Sequence, residues 1–68
     1  MNATRVLAIE VNGRNRIFNS INECCDYYTD TTDSRLQVEQ LRRLLAGHGL
    51  WEYVENGVKK QVVFDELY

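Results

Sequence analysis

The stretch Ile17–Tyr28 reads I-F-N-S-I-N-E-C-C-D-Y-Y, and its reading decides the fold. A short extended segment ends at Phe18. Ser20 then opens a helix, with Glu23 three positions further on. That spacing is a capping box: the Ser20 hydroxyl accepts from the Glu23 N–H, and the Glu23 carboxylate reaches back to the Ser20 N–H. Behind the cap, Ile21, Cys24, Cys25 and Tyr28 fall at i, i+3, i+4 and i+7, one face of a helix. Asn22, Glu23 and Asp26 take the other side. A strand leading into a capped helix with a small-residue apolar face is a docking device, because the cysteine pair lets a second helix approach closely.

Towards the N-terminus, Arg5 to Val11 reads as a strand. Leu7, Ile9 and Val11 share one face, and Val6, Ala8 and Glu10 the other. Asn12-Gly13 is a strong hairpin signal, since both central residues of a type I′ turn need positive φ. A two-residue turn sets Val11 opposite Arg14, Ile9 opposite Arg16 and Leu7 opposite Phe18. Both faces are partly apolar, so helices are expected to cover at least one of them.

Towards the C-terminus, the first helix is expected over about 20–29, followed by the polar, turn-rich run T-D-T-T-D at 29–33. Ser34, with Gln37 in the capping-box position, predicts a second helix over 34–46. Its apolar stripe is Val38, Leu41 and Leu45, with Leu44 beside them. Arg35, Glu39, Arg42, Arg43 and Ala46 lie towards the outside, and Gly47 or Gly49 ends the helix. Trp51 to Glu55 reads as a third strand. Asn56-Gly57 is a second type I′ signal, and Val58 to Phe64 returns with Val62 near Trp51 and Lys60 near Tyr53. Asp65 to Tyr68 is left as a tail. The expected fold is α+β, in the order β-hairpin, two helices, β-hairpin (ββααββ), as a single domain over 1–68. The repeated turn dipeptide is two uses of one turn chemistry, because the flanking sequences do not match.

A chain of 68 residues buries only about 60% of its unfolded surface, so its core is small. The apolar fraction is 44% and the charged fraction 26%, the balance of a soluble globule rather than a disordered chain. No apolar run approaches a membrane span, and the first residues do not read as a signal peptide, so a cytoplasmic location is expected. The adjacent Cys24 and Cys25 are expected as buried thiols, since a bridge between helical neighbours strains the backbone. Together with His48 they do not make the spacing of a zinc site, and no metal or cofactor is expected.

The net charge of −2 is unlike the basic balance common in nucleic-acid binders. It hides a pattern. Residues 1–20 carry Arg5, Arg14 and Arg16 against Glu10. Residues 21–35 carry Glu23, Asp26, Asp30 and Asp33 against Arg35. Arg42 and Arg43 face Glu39 in the second helix, and Lys59 and Lys60 face Glu52, Glu55, Asp65 and Glu66 in the last hairpin. Cations therefore gather on the first hairpin and the second helix.

From Val6 to about Gly49 the chain resembles the small modular DNA-binding domain associated with phage and intron-encoded nucleases. The resemblance rests on Val6, Ile9, Asn12, Gly13, Phe18, Ser20, Ile21, Glu23, Cys24, Cys25 and Tyr28, with cysteines where that family often has alanines. It implies a helix-turn-helix-like unit with the second helix as reader, and the C-terminal hairpin is then a wing. The chain departs from the family in its long acidic linker before Ser34 and in its overall acidity, and no catalytic domain is expected within its 68 residues.

No triad order and no glycine-rich phosphate loop is present, so an enzyme is not expected. His48 reads as a helix-terminal residue favoured by the dipole, and Asp30 and Asp33 as cap and turn residues. Trp51, Tyr53 and Phe64 either close the core under the helices, the favoured reading, or form a stacking platform for nucleic acid. Two functions follow as expectations. In the first, the chain binds double-stranded DNA through Arg14, Arg16, Arg35, Arg42 and Arg43, in regulation or beside a larger enzyme. In the second, it is a phage-type protein-binding factor or inhibitor that presents its acidic surface to a host protein. The position of Asp26, Asp30 and Asp33 relative to Arg42 and Arg43 discriminates them.

Overall fold

The computed structural model describes residues 4–47 and 49–67. The elements run β1 (Arg5–Glu10), β2 (Asn15–Phe18), α1 (Ile21–Thr31), α2 (Val38–Gly47), β3 (Leu50–Glu55) and β4 (Val58–Leu67). The ββααββ order is as expected. The two hairpins do not stand apart, however. β1 pairs with β4, so all strands join one antiparallel sheet in the order β2-β1-β4-β3. Both hairpin turns lie at one end of this sheet, and β4 continues as a strand through the residues expected as a tail.

Both helices lie on one face of the sheet. Val6 and Ala8 of β1, Phe18 of β2, Trp51 and Tyr53 of β3, and Val62 and Phe64 of β4 point into that face and are buried. Cys24, Cys25 and Tyr28 of α1 and Leu41 and Leu45 of α2 close the core from above. The Ile21/Cys24/Cys25/Tyr28 stripe is thus the packing face read from the sequence, with Ile21 half-buried and both thiols unbridged. The favoured reading of the aromatic trio holds: Tyr28 packs edge-on to Trp51, Tyr53 and Phe64 at centroid distances of 5.5–5.6 Å. A stacking platform is ruled out because all three rings are covered.

The first hairpin differs from expectation by one residue. Val6 pairs with Phe18 and Ala8 with Arg16, rather than Leu7 with Phe18. Val11, Asn12 and Gly13 form the loop. The Gly13 N–H donates to the Glu10 carbonyl at 2.8 Å, and the Arg14 N–H donates to Asn12 Oδ1 at 3.1 Å. Only Gly13 adopts positive φ there, at 90°, whereas the second turn is of the expected kind, with Asn56 at 52° and Gly57 at 77°. The slip has a reason: it turns Phe18 onto the helix-covered face beside Val6.

Ser20 caps α1 as expected, its Oγ accepting from the Glu23 N–H at 3.1 Å, but the Glu23 carboxylate takes the Asn19 N–H instead of that of Ser20. Ser34 does not cap α2. Its Oγ accepts from the Val54 N–H at 3.0 Å, and the Asp33 N–H donates to the Val54 carbonyl at 2.7 Å. Asp33 and Ser34, in the linker 32–37, therefore lie against the outer edge of β3 at Val54, and α2 opens only at Val38. Arg35 consequently sits on this linker, and Leu36 drops into the core, held by hydrogen bonds with Thr29 Oγ1. α2 ends at Gly47; the expectation for His48 lies outside the described residues.

Candidate functional site

The solvent side of the helix layer is divided by charge. With Cys24, Cys25 and Tyr28 turned inward, α1 exposes Asn22, Glu23, Asp26 and Asp30. With Leu41 and Leu45 inward, α2 exposes Glu39, Gln40, Arg42, Arg43 and Ala46. The linker exposes Asp33 and Arg35. α1 and α2 pack against each other, and the acidic residues of one and the basic residues of the other are all exposed in the helix layer. Among the described residues, Asp26, Asp30, Asp33, Arg42 and Arg43 enter no ion pair.

A second feature lies where α1 ends above the hairpin turns. Glu10 alternates with Val6 and Ala8 and is turned with them under the helices, leaving it only 9% exposed. Its Oε2 accepts from Arg16 Nε and from Tyr28 Oη, each at 3.1 Å. The Arg16 guanidinium lies 4.8 Å from the centre of the Tyr27 ring. Beside this group, Lys60 pairs with Glu55 at 2.6 Å. Arg14, Arg16, Tyr53, Glu55 and Lys60 share the lining of a polar cleft of about 210 Å³ above Glu10. Burial, and then the Glu10 charge, push the Tyr28 hydroxyl up, and the same two causes raise Tyr53. The hydrogen bond from Lys60 draws the Glu55 carboxyl below its ordinary value against a smaller desolvation effect, with help from Arg16 and Arg14.

These shifts do not arm a nucleophile. Burial pushes the Cys24 thiol up to about 12 and raises Cys25 as well, the opposite of an activated cysteine. No cluster of three metal-ligating side chains forms among the described residues.

The structure thus scatters the expected cations. Arg16 is spent on Glu10 and Tyr27. Arg14 stands exposed at the cleft, Arg35 on the linker, and Arg42 and Arg43 on the outer side of α2, away from the cleft lining. The Glu10–Arg16–Tyr28 group escaped the sequence reading. Its signal was present: a carboxylate in register with two core residues needs buried partners. Compared with protein-family models, characterised proteins and solved structures, the chain matches none.

Proposed function

We propose that this chain is a protein-binding factor that docks its acidic surface, Asp26 and Asp30 of α1 with Asp33 of the linker, onto a basic surface of another protein. The observation that carries this reading is that Asp26, Asp30 and Asp33 are exposed and enter no ion pair among the described residues. A phosphate backbone approaching Arg42 and Arg43 comes to a helix layer that also exposes Asp26 and Asp30, in a molecule whose net charge supplies no attraction. A basic protein surface meets unpaired carboxylates and needs no uniform field of one sign. Long-range charge then chiefly sets the rate and the partner, while short-range contacts set the affinity.

The DNA-binding reading, with α2 as reader and the β3–β4 hairpin as wing, keeps one supporting observation: Arg42 and Arg43 are exposed and unpaired among the described residues. One experiment separates the two. The immobilised protein is exposed to a host-cell lysate treated with nuclease, and retained proteins are eluted with a salt gradient. The wild type and Arg42→Ala/Arg43→Ala are expected to retain the same protein, and Asp26→Asn/Asp30→Asn/Asp33→Asn to lose it. Retention by the acid-neutralised variant, or loss with the arginine variant, overturns the proposal.

A further inference from the structure

The sheet face turned away from the helices has no cover in the monomer. Leu7, Ile9, Ile17, Leu50, Val63 and Leu67 project from it. The register makes them contiguous: Ile17 pairs with Leu7, and Ile9, Val63 and Leu50 form one row across three strands. Ile17 is 56% exposed, Leu50 49% and Ile9 36%. Antiparallel sheets with one wet face normally make that face polar, and monomers rarely expose contiguous apolar patches of this kind.

We infer that this face packs against the same face of a second copy, giving a weak homodimer with the helix layers outermost. Charge supports a self-partner. The charged residues of this face are Arg5, Lys59 and Glu52 beside the apolar rows and Asp65 opposite Leu7 within one, so the face is electrically balanced and favours neither a basic nor an acidic partner. Area supports it too. Four strands about 4.8 Å apart, paired over about six residues of about 3.4 Å rise, give a footprint of roughly 400 Å² per copy before side-chain relief, hence on the order of 1,000 Å² of accessible surface in the pair. That is the lower limit of a specific interface, so dissociation in the micromolar range is expected. Growth by edge pairing is restrained on one side, since residues 33 and 34 occupy the Val54 N–H and carbonyl on the outer edge of β3. The other edge, β2, is only 4 residues long. The dimer leaves the outer helix surface exposed, so it is independent of the binding reading above.

Sedimentation velocity of the full chain from about 10 μM to about 1 mM tests this. The mass is expected to rise from the 8.0 kDa of one chain towards twice that value. Ile17→Lys/Leu50→Lys, at two half-exposed edge-strand positions, is expected to stay at 8.0 kDa throughout with an unchanged circular dichroism spectrum. If the variant does not fold, concentration-dependent amide shifts of the wild type decide: shifts confined to residues on the open face support the dimer, and shifts on α1 or α2 refute it. A wild type still monomeric at 1 mM overturns the inference, as does a folded variant that dimerises like the wild type.

Discussion

Tyr28 Oη donates to Glu10 Oε2 at 3.1 Å, tying the buried face of α1 to a central strand of the sheet. With Arg16 on the same oxygen, the pair turns a buried carboxylate into a satisfied junction between helix, β1 and β2. Removing one partner leaves the charge under-compensated, which costs more than the hydrogen bond itself.

Tyr28→Phe is therefore expected to destabilise the fold by about 2 kcal/mol, a fall in melting temperature of roughly 10 °C, although the ring and its edge-on contacts are retained. Urea denaturation of Tyr28→Phe, Arg16→Ala and the double variant measures the coupling. The two changes are expected to be non-additive, because both act on one oxygen. Strict additivity would show that they stabilise the fold independently.

Ser20→Ala and Ser34→Ala separate two serines that look alike in sequence. The first removes a helix cap and is expected to cost about 1 kcal/mol, with faster amide exchange in the first turn of α1. The second is expected to speed exchange at Val54 and to leave the first turn of α2 unchanged, because Ser34 bonds the edge of β3. Exchange speeding instead at residues 38–40 would return Ser34 to the role of a cap.

Stability is expected to fall at alkaline pH. Burial raises the Cys24 thiol from an ordinary 9.0 to about 12. Above pH 9.0 the unfolded chain releases this proton while the folded chain holds it. The contribution is thus complete below pH 9.0 and is lost as the pH rises towards about 12. Cys25, Tyr28 and Tyr53 are raised too and act in the same direction. Cys24→Ala is expected to make the decline of melting temperature between pH 9 and 11 shallower without abolishing it. An unchanged slope would exclude Cys24 as a source.

The same residues predict slow thiol chemistry. In the native protein at pH 7.5, a maleimide is expected to label Cys24 and Cys25 only at the rate of global or local opening, and at once after denaturation. Rapid native labelling of both would contradict their place in the core.

What the sequence revealed was local. Ser20, Glu23 and the Ile21/Cys24/Cys25/Tyr28 stripe act within one turn or two of helix, and they set α1 as read. Asn56-Gly57 likewise needs only its own two dihedrals. Asn12-Gly13 is the same dipeptide with a different outcome, because burial of Phe18 beside Val6 selects the register and the Asn12 side chain then serves the loop. Ser34 carries the same local signal as Ser20, yet its hydroxyl goes to Val54, twenty residues away. The β1–β4 pairing that fuses the hairpins joins the two ends of the chain, and no short window encodes it. Of the candidate cations, Arg42 and Arg43 were legible as an outer helix face. Arg16 is a core partner only through the burial of Glu10, which the packing of the helices on the sheet decides.

The most direct test of the functional account is a mobility-shift titration of a random-sequence duplex pool at low salt. It uses the wild type, Asp26→Asn/Asp30→Asn/Asp33→Asn, and that triple change combined with Arg42→Ala/Arg43→Ala. The account predicts no shift for the wild type, a salt-sensitive shift once the acidic stripe is neutralised, and its loss when the two arginines are also removed. A wild-type shift at low salt that Arg42→Ala/Arg43→Ala abolishes would contradict it and establish α2 as a DNA-contacting helix.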